Sequence, residues 1–185
     1  NLSIISPRSF CPGCSKMIPF YQNIPIISYI LQMGKCNQCS GKISIRYPIV
    51  EVISAVALLL SMKLVPNPEA GLFYWMFVHL LVLTIIDQEW MQIPTSILIS
   101  MALGLMLFHL IWTADLMGPI SGLIVGSGFI VFVVGFNWLI FHKQTMGYGD
   151  VIIVAILGAW LGTIPIFFTI FLASILALLF FVVFS

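Results

Sequence analysis

The chain has 185 residues, 61% of them hydrophobic, with seven basic and six acidic side chains that make 7% of the whole. Soluble domains carry about 25% charged residues, so a water-soluble globule is excluded. A disordered chain, a coiled coil and a nucleic-acid binder are excluded with it, since each needs many charges.

Residues 1–47 hold five of the seven basic residues, Arg8, Lys16, Lys35, Lys42 and Arg46, and no acid. All four cysteines lie there too. Cys11-Pro-Gly-Cys14 and Cys36-Asn-Gln-Cys39 are two C-x2-C turns with 21 residues between them. Each turn aims two thiolates at one point, and two turns complete a closed tetrahedral S4 site. A structural zinc ion is expected, offset in charge by the five nearby cations. Two disulfides or free thiols are the alternative, and a cytoplasmic location argues against disulfides.

From Pro48 onward the chain is a series of apolar runs, so it divides into a four-cysteine module, 1–47, and a transmembrane domain, 48–185. No internal repeat or low-complexity segment stands out. A spanning helix needs about 20 apolar residues, and helices satisfy their own backbone in lipid. The fold expected is an all-α polytopic membrane protein with about six spans, near 48–65, 71–87, 93–112, 119–141, 150–162 and 164–184. The span 150–162 is short: it is tilted, half-buried, or continuous with the next through Pro165. Breaks fall at Pro66-Asn67-Pro68, Gly118-Pro119 and Gly147-Tyr148-Gly149.

Basic residues set the orientation. The cysteine module is expected in the cytoplasm, with the loops near 88–92 and 142–149, while Lys63 lies near the outer face. Trp75, Trp90, Trp112, Trp138 and Trp160 fall near helix ends, as interfacial tryptophans do. Gly122-x-x-x-Gly126 and Gly158-x-x-x-Gly162 are small-residue pairs that let helices approach closely.

Each acid in so apolar a chain carries information. Glu69 and Asp115 fall in outer loops and Glu89 in a short inner loop, where solvation explains them. Asp87 ends one span and Asp150 opens another, at the same cytoplasmic edge. Two adjacent carboxylates share a proton and can act as general base and general acid on a water. That is an aspartic dyad for peptide hydrolysis, with Gly147 and Gly149 allowing close approach of an extended substrate. Alternatively, Asp150 is a helix N-terminal acid favoured by the dipole and Asp87 a solvated helix end. A cation or proton pathway also uses membrane carboxylates. Glu51, a turn into the first span, is either dipole-favoured or turned toward a polar site. His79, His109 and His142 form no ligand pattern and are read as structural.

These residues closely resemble one family. Pro7-Arg8-Ser9-Phe10-Cys11-Pro12-Gly13-Cys14, Asn23-Ile24-Pro25-Ile26-Ile27-Ser28-Tyr29 and Cys36-Asn37-Gln38-Cys39 look like the prepilin peptidases, the type IV leader peptidases of bacterial pilus, type II secretion and competence systems. The match continues through Arg46-Tyr47-Pro48-Ile49-Val50-Glu51, through Asp87 and Ile93-Pro94, and through Met146-Gly147-Tyr148-Gly149-Asp150-Val151 to Leu157-Gly158-Ala159-Trp160-Leu161-Gly162. It covers nearly the whole chain in order.

The resemblance implies a bacterial inner-membrane aspartic protease of the GxGD type, with Asp87 and Asp150 as its catalytic pair. It implies pilin-like precursors as substrates, cut on the cytoplasmic side after a short basic leader. Many members also methylate the new N-terminus with S-adenosylmethionine. The four-cysteine module accompanies that activity, and Glu51 matches an acid linked to it. The alternatives are a non-catalytic zinc-stabilised pilin assembly factor and a carboxylate ion pathway.

Ile152 stands where a Lys is common in the family and Thr95 where an Asp is common, departures that bear on substrate preference rather than chemistry. Asn1 is no initiator, the last run stops inside apolar sequence, and family-typical first and last helices are missing. The chain is therefore expected to be a fragment.

Overall fold

The computed structural model describes residues 9–142 and 146–184; Arg8 of the basic stretch, and Lys143 in the loop near 142–149, lie outside them. The described chain is nearly all helix. It divides into two compact units, Asn1–Pro66 and Asn67–Ser185.

In the first unit, a 3-10 turn at Phe20–Asn23 precedes a one-turn helix α1, Ile27–Leu31, and the long helix α2, Arg46–Leu64. Phe10 pairs with Met17 and Lys35 with Lys42 as isolated antiparallel bridges, so each C-x2-C turn closes a small hairpin. The fold boundary therefore falls a helix beyond residue 47.

The second unit holds α3 (Glu69–Trp90), α4 (Thr95–Phe108), α5 (Met117–Phe141), α6 (Tyr148–Leu161) and α7 (Thr163–Phe184). A π-helical turn, His109–Thr113, extends α4. Together α4 and this turn form one apolar segment, Thr95–Thr113. Among the described residues five segments, this one with α2, α3, α5 and α7, are long and apolar enough to cross a membrane, and α6 is a shorter apolar helix. The chain is thus an all-α polytopic membrane protein.

Differences from the sequence expectation lie at helix ends. Glu69 opens α3 rather than sitting in a loop, where its charge complements the helix dipole. Glu89 lies in the last turn of α3, which ends when Met91 enters the left-handed region at φ 50°. Pro119 falls in the first turn of α5, a place where its missing N–H costs no helix bond. The helices α6 and α7 are separate. Gly162, at φ 89°, breaks them, and Pro165 sits in the first turn of α7.

The core of this unit is built from one stripe on each of three helices: Leu72, Met76 and Leu83 of α3, Leu98, Met101 and Leu105 of α4, and Ile156 and Ala159 of α6. Burial of such side chains is worth about 1.5–3 kcal/mol each in water, but lipid tails are equally apolar, so close packing decides. The helices α5 and α6 meet backbone to backbone. A Cβ on Gly122 would strike the Gly158 carbonyl, and one on Gly158 the Gly122 carbonyl. The small-residue pairs read in the sequence are this contact.

Candidate functional site

The two cysteine turns fold alike, because each backbone closes on itself in the same way. Ser15 N–H donates to the Cys11 carbonyl at 2.8 Å and Cys11 N–H to the Lys16 carbonyl at 3.0 Å. In the second turn, Ser40 N–H donates to the Cys36 carbonyl at 2.8 Å and Cys36 N–H to the Gly41 carbonyl at 2.9 Å. Ser15 and Ser40 hold matching left-handed conformations, φ 56° and 58°. The repeat missed in the sequence is Cys-x-x-Cys-Ser; serine in αL carries the turn that glycine usually carries.

This folding brings the four expected ligands together. The Sγ atoms of Cys11, Cys14, Cys36 and Cys39 lie within 4.8 Å of one another, and all four cysteines are free. Metal–sulfur bonds of about 2.3 Å at tetrahedral angles require sulfurs about 3.8 Å apart. Cys11 and Cys39 are 3.8 Å apart. The four thiols therefore fit a metal ion.

Their environments differ. Cys36 is held down at about 7 because Gln38 N–H donates to its sulfur, at 3.5 Å, and Cys39 N–H adds to this. Gly41 N–H pulls Cys39 down, but the Cys14 thiol, desolvation and the Cys36 and Cys11 thiols outweigh it and push Cys39 up to about 11. Lys16, Lys35 and Lys42 on the same hairpins are exposed.

Asp150 is the third residue of α6 and half-buried. Its carboxylate accepts the Gly147 N–H at 3.2 Å, closing the helix start. Asp87 lies in the last turn of α3 and is exposed. Its carbonyl accepts the Met91 N–H at 2.9 Å. Among the described residues no hydrogen bond joins the two carboxylates.

What the fold does is bring them to one end. At the opposite end the Phe73 ring of α3 meets Trp160 of α6, with centroids 5.6 Å apart. At a rise of about 1.5 Å per residue, Asp87 is about 21 Å from Phe73 along α3 and Asp150 about 15 Å from Trp160 along α6. The connection after α3 also reaches Asp150's neighbour. A Cβ on Gly149 would lie 2.8 Å from Ile93 Cδ1 and 3.1 Å from Ile93 Cβ. Gly149 is needed here for close approach, a contact that no sequence signal at Ile93 reveals.

Glu51 is half-buried in α2, and its Oε2 accepts the Ile26 N–H at 2.7 Å. Ile26 stands at φ 62°, ψ −51°, and Ile27 N–H donates to the Pro25 carbonyl at 2.5 Å. This is a γ-turn of the rare positive-φ kind, centred on a β-branched residue. Such a conformation costs about 1–3 kcal/mol and persists only when its surroundings enforce it. The sequence gives no hint of the turn beyond Pro25 itself.

The histidines are held locally. His79 Nδ1 is 2.8 Å from the Trp75 carbonyl and Nε2 is 3.0 Å from Ser100 Oγ. His109 Nδ1 is 3.0 Å from Thr113 Oγ1 within the π turn. His142 Nδ1 is 3.0 Å from the Trp138 carbonyl.

Comparison with known proteins agrees with this architecture. Residues 1–64 match the family model described as the bacterial peptidase A24 N-terminal domain, and residues 74–182 match the type IV leader peptidase family. The prepilin leader peptidase/N-methyltransferase of Aeromonas salmonicida is 33% identical over 187 aligned positions, covering 96% of this chain and 62% of the relative. That of Neisseria gonorrhoeae is 32% identical, covering 96% and 63%. That of Pseudomonas putida is 32% identical, covering 94% and 61%. The chain thus spans about three fifths of the length of these curated relatives. No solved structure matches. With both family models matched in order across a helical membrane fold, the chain belongs to the type IV leader peptidase family.

Proposed function

We propose that this chain is the core of a membrane-embedded aspartic endopeptidase of the GxGD type that removes the basic leader from type IV prepilin-like precursors. Asp87 and Asp150 are its catalytic pair. The observation that supports this most is their shared end of the helical unit, with Ile93 lying against Gly149 beside Asp150.

In the proposed dyad one carboxylate acts as general base and the other, carrying a proton, as general acid. The ionised carboxylate takes a proton from water as its oxygen bonds to the scissile carbonyl carbon. The protonated one gives its proton to the amide nitrogen as the C–N bond breaks. Exposed Gly147 presents bare backbone, along which an extended precursor can lie, while Gly149 of the same motif lets Ile93 pack beside Asp150.

The functional division follows residue 47. Residues 1–47 are a zinc module held by Cys11, Cys14, Cys36 and Cys39, and 48–185 the protease domain in lipid. Its acid-free basic stretch supports a cytoplasmic module in the bacterial inner membrane, so the leader is cut on that side. The relatives' names include N-methylation, and we extend it to this chain, with S-adenosylmethionine as donor to the new N-terminus.

The test incubates the purified full-length protein with a prepilin and weighs the products. A shortened pilin is expected, then a second species heavier by one methyl. Asp87→Asn and Asp150→Asn should each slow cleavage by at least about 10²–10⁴-fold. Cleavage at the wild-type rate by either variant defeats the mechanism, and no cleavage by the wild type favours an assembly factor or an ion pathway.

A further inference from the structure

The γ-turn at Ile26 stands at the start of a chain of contacts that ends at the cysteines. Ile26 opens α1: its carbonyl accepts the Ile30 N–H at 3.0 Å. Tyr29 of α1 lies over Gly34, where a Cβ would come 2.9 Å from the tyrosine oxygen. Gly34 is at φ 67°, and its N–H donates to the Tyr29 carbonyl at 3.0 Å. The Gly34 carbonyl accepts the Ile43 N–H at 2.8 Å, and the Lys35–Lys42 bridge then closes the hairpin that carries Cys36 and Cys39. The direction of α1 therefore fixes the second cysteine hairpin, and the turn at Ile26 fixes the direction of α1.

Nothing in Ile26 itself favours that turn. A β-branched residue at positive φ is a genuine outlier, and a strained backbone needs an external hold. The hold on the Ile26 N–H is the Glu51 carboxylate, at 2.7 Å from a residue 25 positions away. An ionised acceptor makes a hydrogen bond roughly twice as strong as a neutral one.

We infer that Glu51 is a positioning residue: its carboxylate braces the strained turn at Ile26 and, through α1 and Gly34, sets the second cysteine hairpin against the first. Its influence on any reaction of the module passes through this backbone and not through contact with a substrate or methyl donor. The inference uses the proposed function only for its activity arm.

The experiment uses full-length protein in detergent, with two readouts that need no activity. One is the rate of zinc loss to a chelator, and the other is hydrogen exchange across residues 24–33. Loss of a hydrogen bond to a charged group should speed both by about tenfold or more in Glu51→Ala. Glu51→Gln keeps an acceptor oxygen and should stay within about fivefold of wild type. Glycine enters positive φ freely, so Ile26→Gly added to Glu51→Ala should restore zinc retention to within about fivefold of wild type. Methylation and cleavage should follow the same order.

If Glu51→Ala fails to accumulate, accumulation of the double variant is the expected rescue, and failure of both overturns the inference. So does a Glu51→Gln protein that retains zinc normally yet is as inactive as Glu51→Ala, since the charge would then act directly. A Glu51→Ala protein with unchanged zinc loss and exchange overturns it as well. If the wild type does not cleave prepilin, the proposed function fails, while the zinc and exchange comparisons still decide the role of Glu51.

Discussion

Cys36 and Cys39 stand three residues apart on one hairpin, yet their surroundings move them in opposite directions, to about 7 and about 11. The thiolate is the nucleophile. While the hairpins are still folded, as the metal is withdrawn at pH 7, Cys36 should therefore be alkylated well before Cys39, and the order should be lost once the hairpins open or the pH rises past 11. Peptide mass mapping after brief iodoacetamide treatment checks this; equal labelling at pH 7 contradicts it. Cysteine spacing alone made the ligand set legible, since C-x2-C turns are local. The opposite shifts were not legible, because they depend on which N–H groups the folded hairpin aims at each sulfur. Glu51 is a similar case. Its place near a helix start was readable, but its partner Ile26 is visible only once α2 and the turn before α1 are folded together.

At the scale of elements, the loop after α3 and the first turn of α6 meet through Ile93 and Gly149. Gly149→Ala would place a Cβ 2.8 Å from Ile93 Cδ1 and 3.1 Å from its Cβ. Overpacking of this kind costs about 1–3 kcal/mol or forces the elements apart, and here they carry the two aspartates. Leader cleavage by Gly149→Ala should fall by at least about tenfold. Relief should be graded: Ile93→Ala removes the closer contact and restores part of the rate, and Ile93→Gly removes both and restores more. Equal activity in Gly149→Ala and wild type shows that the approach does not set the geometry.

The helices themselves were legible from apolar runs. Their ends were less so, because Glu69, Glu89 and Pro119 look like loop residues in a polarity pattern, yet Glu69 and Pro119 suit a helix start and Glu89 is carried in a last turn against the dipole. The break between α6 and α7 rests on Gly162 rather than Pro165, since proline is tolerated in a first turn.

At the scale of the molecule, the two compact units draw stability from different sources. In Asn67–Ser185 it comes from the Met76 and Met101 core and the Gly122–Gly158 crossing. In the cysteine hairpins, with two isolated bridges and one short helix, a metal would supply most of it. Chelation of the purified protein should therefore open protease cleavage between Cys14 and Cys36 while the far-UV helical signal persists. Loss of helical signal in step with the metal, or hairpins that still resist protease without it, contradicts this division.

Helix α6 is shorter than the spanning helices around it. Its 14 residues rise about 21 Å, whereas the hydrocarbon layer is about 30 Å thick. A helix held this short by Gly147 and Gly162 leaves about 9 Å to be made up by lipid thinning or by polar groups drawn inward. Thinning at the Gly147 end would dimple the bilayer beside Asp150, and such a dimple would let bulk water reach a depth from which an unbroken acyl layer excludes it.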